Sequence, residues 1–273
     1  MRQVAERINW RVEDLIGGEK RLDFTRPFLP ESLARVEPLT FLTPVEKLAL
    51  NHIRANGYLH IFGVVEEFVV PFVLKHVEAE NIHLFRRFKE EFEQGFGTPC
   101  ELIGPSNAIG DFVLAHDPLA VALLILHIEW MTQRHYDSVA RNEYLDARFR
   151  SLLKHHWMEE AHHAKLDTFM VETFAAQRTP DQVARAVDEY LQIAGFLDVG
   201  FGRQVALDEI SLERATGRLL TAAERRLFAA VQIRALRWTY LGSGMTHPRF
   251  LETVAELDPA MRDQIEEIAP AFC

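Results

Sequence analysis

The stretch HHWMEEAHHAKLD, residues 155–167, decides how the rest of the chain is read. At ~100° per residue, a helix places His156, Glu160, His163 and Asp167 within roughly 60° of one another. Leu153, Met170, Val171 and Phe174 continue the same side, so the stripe faces a core rather than water. A carboxylate enclosed between imidazoles is costly unless something compensates it, and a divalent metal does so. Glu159 and His162 form a second ExxH pair one position out of phase; its less apolar stripe reads as surface or partner.

Outward from this helix, helical periodicity dominates and period-2 alternation is hard to find. Thr43-Pro44 opens a helix running through Tyr58 toward Phe72, with Pro71 at a kink or near its end. A second covers Val77 to Phe96, and Pro99, Gly104, Pro105 and Gly110 read as a loop. Asp117-Pro118 starts a helix through about Tyr144, and Ala147 to Gln177 forms the next. Thr179-Pro180 opens a segment through Ala206 and Thr221 one through Tyr240, before breaks at Gly242, Gly244 and Pro248. The expectation is an all-α chain of roughly seven helices, with no solenoid repeat or low-complexity linker. A single domain over 1–273 follows, with a metal-binding core at about 44–177 and extra helices at about 180–273.

Composition narrows the function. Over 273 residues the chain has 40 acidic against 30 basic side chains, a net charge of −10, and 48% hydrophobic residues. That is globular composition, and its acidity argues against nucleic-acid or anionic-membrane partners. Cys100 and Cys273 lack metal-ligand or CxxC spacing, so a reducing, cytoplasmic setting is the default. Met1 to Lys20 lacks the apolar core of a signal peptide, and the longest apolar run, Leu119 to Leu126, falls short of the ~20 residues that span a bilayer.

A dinuclear site in a bundle draws on several helices, so partner carboxylates are needed. Glu129 interrupts the apolar Leu119 to Met131 helix, and its alternative to a metal is a buried pair with an arginine. It precedes Glu160 by 31 residues, which in an antiparallel hairpin sets both at one height. Glu66 and Glu67 interrupt another apolar helix, and either fits an inward position. Glu80 to His83 is a literal ExxH, yet Ile82, Phe85, Phe88 and Phe92 mark the core face, leaving Glu80 and His83 opposite with Arg87, Glu90 and Glu91. The inward pair there is Glu78 with Asn81. Asp167 is a candidate acceptor for an imidazole N–H. Trp130, Tyr136 and Trp157 flank the centre as packing, pocket wall or electron relay.

These residues resemble the ferritin-like diiron oxygenases of the p-aminobenzoate N-oxygenase type, which carry a lone Glu and ExxH, then a lone Glu and HxxxExxH. The resemblance covers roughly residues 44 to 175. Glu129 matches the second lone Glu, and His156, Glu160 and His163 the three-ligand helix. Glu66 or Glu67 resembles the first lone Glu and Glu78 the Glu of the first ExxH, with Asn81 standing where that family has His and a shorter spacing between the two carboxylates. The resemblance implies a ferritin-like bundle with additional C-terminal helices and two iron ions, or manganese in their place. Glu66 or Glu67 with Glu78 would hold one ion, Glu129, His156 and His163 the other, and Glu160 would bridge. It implies O₂-dependent oxidation, including N-oxygenation of an amine, of a small organic substrate. An external electron-donor protein is needed, since GFLDVGFG at 195–202 is no nucleotide-binding turn. Long amphipathic helices make a homodimer the expected assembly. The rival readings are a degenerate, non-catalytic metal-binding or structural bundle, and iron storage.

Overall fold

The computed structural model describes residues 11–73, 79–140 and 142–273, without the side chains of 68–73, 79–81, 159, 161 and 162. The protein is all-α, with no β-strand among the described residues. Its principal helices are α1 (Pro44–Val73), α2 (Ala79–Phe96), α3 (Ser106–Leu114), α4 (Pro118–Val139), α5 (Ala147–Ala176), α6 (Pro180–Thr216), α7 (Ala222–Arg237), α8 (Pro248–Leu257) and α9 (Pro259–Ile268).

Local chemistry sets the helix starts. Thr43 Oγ1 accepts from Glu46 N while Glu46 Oε2 accepts from Thr43 N, a reciprocal cap ahead of Pro44, and Thr179 with Gln182 and Thr221 with Glu224 repeat it at α6 and α7. Asp117 and Asp146 accept from Leu119 N and Phe149 N to start α4 and α5. Gly217, at φ 68°, ends α6 in the left-handed conformation that glycine adopts at least cost.

Four long helices form two antiparallel hairpins. In the first, His52 meets Phe96 and Phe62 stacks on Phe85. In the second, Tyr136 stacks on Trp157. The hairpins face each other through Phe85 against His156 and Phe88 against Phe149. A ferritin-like bundle is consistent with this arrangement. Leu119 to Leu126 are all buried because α4 lies between α5, α6 and the C-terminal segment, each leucine, valine and isoleucine there contributing about 1.5–3 kcal/mol of apolar burial. No helix among the described residues is long and apolar enough to cross a membrane.

The structure corrects several boundaries. Residues 106–114, expected in a loop, form α3, whose Gly110 lies on its buried face and does not break it. α4 stops at Val139, short of Tyr144, because the chain must turn before Asp146 caps α5. α6 runs ten residues past Ala206. Gly242 and Gly244 do not end the helical path: Trp238–Gly242 is a π-helical turn and Ser243–Met245 continues it. Gly244 is there because a Cβ would sit 2.3 Å from His127 Cδ2. Glu91, expected on the solvent face of α2, is buried and accepts both oxygens' worth of bonding from Arg21.

Candidate metal centre

α5 carries His156, Glu160, His163 and Asp167 toward α1 and α4, and all but the part-exposed His163 are buried. His156 Nε2–H donates to Glu160 Oε1 at 2.7 Å and approaches Glu66 Oε1, on α1, at 3.3 Å. His163 Nδ1–H donates to Glu160 Oε2 at 2.9 Å. Glu129, on α4, shares a hydrogen bond with Glu160. Two sets of donor atoms result, each within 4.8 Å: Glu66, His156 and Glu160, and Glu129, Glu160 and His163. Glu160 belongs to both. His156 therefore groups with Glu66, whereas the family pattern sets it beside Glu129 and His163.

The charges are arranged under strain. Burial alone would lower the His156 imidazole, but the Glu160 and Glu66 carboxylates outweigh it and raise it to about 10. His163 is raised to about 9 against burial, chiefly by Glu160. Glu160 is held well below the carboxylate range, its two imidazole partners overcoming burial. Glu129 goes well above that range through burial and the neighbouring Glu160 charge, so it holds its proton and shares it with Glu160. Burial also raises Glu66.

Glu129 Oε2 is buried with no hydrogen-bond partner among the described residues. A buried acceptor left unmatched costs about 1–3 kcal/mol. A divalent cation between the two donor sets would use that oxygen, release the protons held on Glu129 and the imidazoles, and offset the crowded carboxylates. Three carboxylates and two imidazoles suit iron or manganese. On donor chemistry and on the orphaned oxygen, the residues fit a metal pair. Phe62 and Phe85 stand edge-on to His156, with ring centroids 5.3 and 4.9 Å away, and limit water on that side.

The remaining expectations divide. Glu66 faces the centre and Glu67, turned ~100° from it, is exposed. Glu78 and the Asn81 side chain lie outside the described residues. Asp167 is buried and raised to about 7, burial outweighing the His163 charge; it acts on His163 by its field, with no hydrogen bond to an imidazole among the described residues. Glu129 has no arginine partner among the described residues. His83 is half-exposed beside Glu13, off the core as its periodicity requires. Tyr136 and Trp157 pack on each other, and Trp130 stacks on His247, 4.9 Å between centroids.

Sequence reasoning passed over a second buried pair of histidines. Tyr58 O–H donates to His135 Nδ1 and Tyr190 O–H to His127 Nδ1. The opposite nitrogens donate to Thr239 and Tyr240 carbonyls, which the π-helical turn presents. The Tyr58 ring stacks on Phe62, linking this network to the centre. The available signal was two histidines on a helix buried on every side, where each ring nitrogen needs a partner. Beyond Phe62 lies a cavity of about 490 Å³, bounded by α1, α3, α4 and α6. The chain matches no model of a known family, no curated protein and no solved structure.

Proposed function

We propose that this chain is a non-haem dinuclear metal protein, an oxidoreductase that uses O₂ to oxidise a small organic substrate. The observation that carries the reading is the buried pair of donor sets sharing Glu160, with Glu129 Oε2 unmatched. Glu66, His156 and Glu160 would hold one ion and Glu129, Glu160 and His163 the other. Two iron ions in such a shell supply reversible electron storage and O₂ activation.

The protein's own groups do the rest. Phe62 and Phe85 exclude water from the His156 side. Glu129 holds a proton at its carboxyl, hydrogen-bonded to Glu160, that ion binding displaces. The Tyr58–His135 pair fixes the Phe62 ring from behind. The cavity beyond Phe62 offers room for an organic substrate, within the ~300–1,000 Å³ of small-molecule sites. Amine N-oxygenation, an external electron-donor protein and a homodimer are the finer parts of the proposal and rest on the family resemblance.

A second reading, a non-catalytic metal-binding bundle, draws on the first hairpin: Glu66 is the carboxylate it brings to the donor sets among the described residues. Loading the protein with Fe(II) without air, then admitting O₂, separates the two. The proposal expects rapid O₂ consumption with a ferric absorption band, both lost in Glu160→Ala. Fe(II) bound without O₂ uptake favours the second reading.

A further inference from the structure

We propose that the cavity beyond Phe62 binds a long-chain aliphatic monocarboxylate, its chain enclosed among α1, α3, α4 and α6 and its carboxylate held at the rim by Arg203. The interior is lined by branched aliphatic and phenyl side chains such as Val65, Val113, Leu124, Ile128, Leu197 and Phe201, and its volume of about 490 Å³ exceeds what one small ring needs. Among the described residues no Asp or Glu lines it, so an ammonium would meet no counter-charge from them. Of the lining basic groups, His60 donates its Nε2–H to the Ile103 carbonyl and is kept uncharged by burial. Arg203, the arginine in the lining, has no ion pair among the described residues and is exposed at the cavity edge, free to meet an anion. A guanidinium with no second charged base beside it among the described lining residues matches one negative charge, and its planar fork fits a carboxylate.

The entrance is kept open by a residue that helix propensity disfavours. Gly200 lies inside α6, where glycine costs about 1 kcal/mol relative to alanine. A Cβ there would come within 3.2 Å of Ile103 Cδ1, across the cavity wall, so any larger side chain narrows the space. Phe196 and Val199 leave apolar surface exposed around the same opening, and Phe196 stacks on Phe112. Binding of the acid does not depend on a metal. Its use as a substrate rests on the proposed function, since Phe62 lines the cavity and also touches His156.

The test is a fluorescence titration with cis-parinaric acid, displaced by palmitate, 1-hexadecanol, hexadecylamine or 4-aminobenzoate, on the full chain with and without Fe(II). The expected result is parinarate binding in both states, with palmitate displacing it about tenfold better than the alcohol or amine, a difference of about 1.4 kcal/mol. Arg203→Gln should remove that advantage and leave hexadecanol unchanged, and Gly200→Leu, checked for native circular dichroism, should weaken every long-chain ligand about tenfold. The proposal is overturned by absence of parinarate binding, by palmitate no better than hexadecanol or 4-aminobenzoate, or by a folded Gly200→Leu protein with unchanged affinity. Because metal-free protein is assayed alongside, a failed metal centre and a failed acid site give different results.

Discussion

His156 and His163 on α5 and His127 and His135 on α4 are all sheltered by the same two-hairpin core, yet their partners have opposite character. The first two face carboxylates and are raised to about 10 and 9. The second two receive a hydrogen bond from a tyrosine and give one to a backbone carbonyl, and burial pushes them down to about 4 and 3. Every ring nitrogen of the second pair is matched by a neutral group, so nothing there calls for a ligand. The carboxylate set instead holds protons that a cation would displace, and leaves one oxygen unmatched. The partners of a buried histidine, more than its burial, thus separate a candidate ligand from a packing residue.

The largest expected effect is at Glu160. Glu160→Ala leaves two charged imidazoles without their carboxylate and should destabilise the metal-free protein by about 3–5 kcal/mol in urea unfolding. A loss under about 1 kcal/mol would break the contrast, placing the α5 histidines with the neutral pair. Next is Gly244→Ala, which drives a methyl into the His127 ring; about 1–3 kcal/mol of stability should go while iron content stays unchanged. Glu129→Gln sharpens the comparison from the other side. Since Glu129 already carries its proton, the amide should change metal-free stability by less than about 1 kcal/mol while weakening Fe(II) binding.

The last contrast is read as a slope in pH and concerns a third kind of buried histidine. His52 donates to the Arg26 carbonyl and burial lowers it to about 4. Between pH 6.5 and about 4 the unfolded chain takes up a proton there that the folded chain refuses, so stability falls with pH by up to ~1.4 kcal/mol per unit. His52→Gln should show a correspondingly shallower loss over that window than the parent protein, by chemical denaturation; identical slopes would mean His52 titrates normally when folded.

The helix starts were legible because a capping threonine or aspartate, followed by proline at α1, α4 and α6, is a local signal that needs no tertiary partner. Glu129, His156, Glu160 and His163 stand out for a similar reason: charged residues at helical spacing inside apolar stripes, which the structure places side by side. Other features depend on contacts distant in sequence. Gly110 looks like a helix breaker yet lies on the buried face of α3, and Gly244 looks like one until His127 occupies the space beside it. Glu91 looks solvated until Arg21, 70 residues earlier, covers it. The choice between Glu66 and Glu67 turns on the rotation of α1, which an apolar helix does not advertise. The π-helical turn is stabilised by histidines more than 100 residues away, beyond the reach of any local pattern.

The most direct test of the account is the Fe(II) stoichiometry under anaerobic titration, read by metal analysis after gel filtration, for the parent chain, Glu66→Gln and Glu129→Gln. Two donor sets sharing Glu160 predict close to two ions per chain, falling toward one in each variant. One ion or fewer in the parent chain, or two retained in both variants, would contradict it.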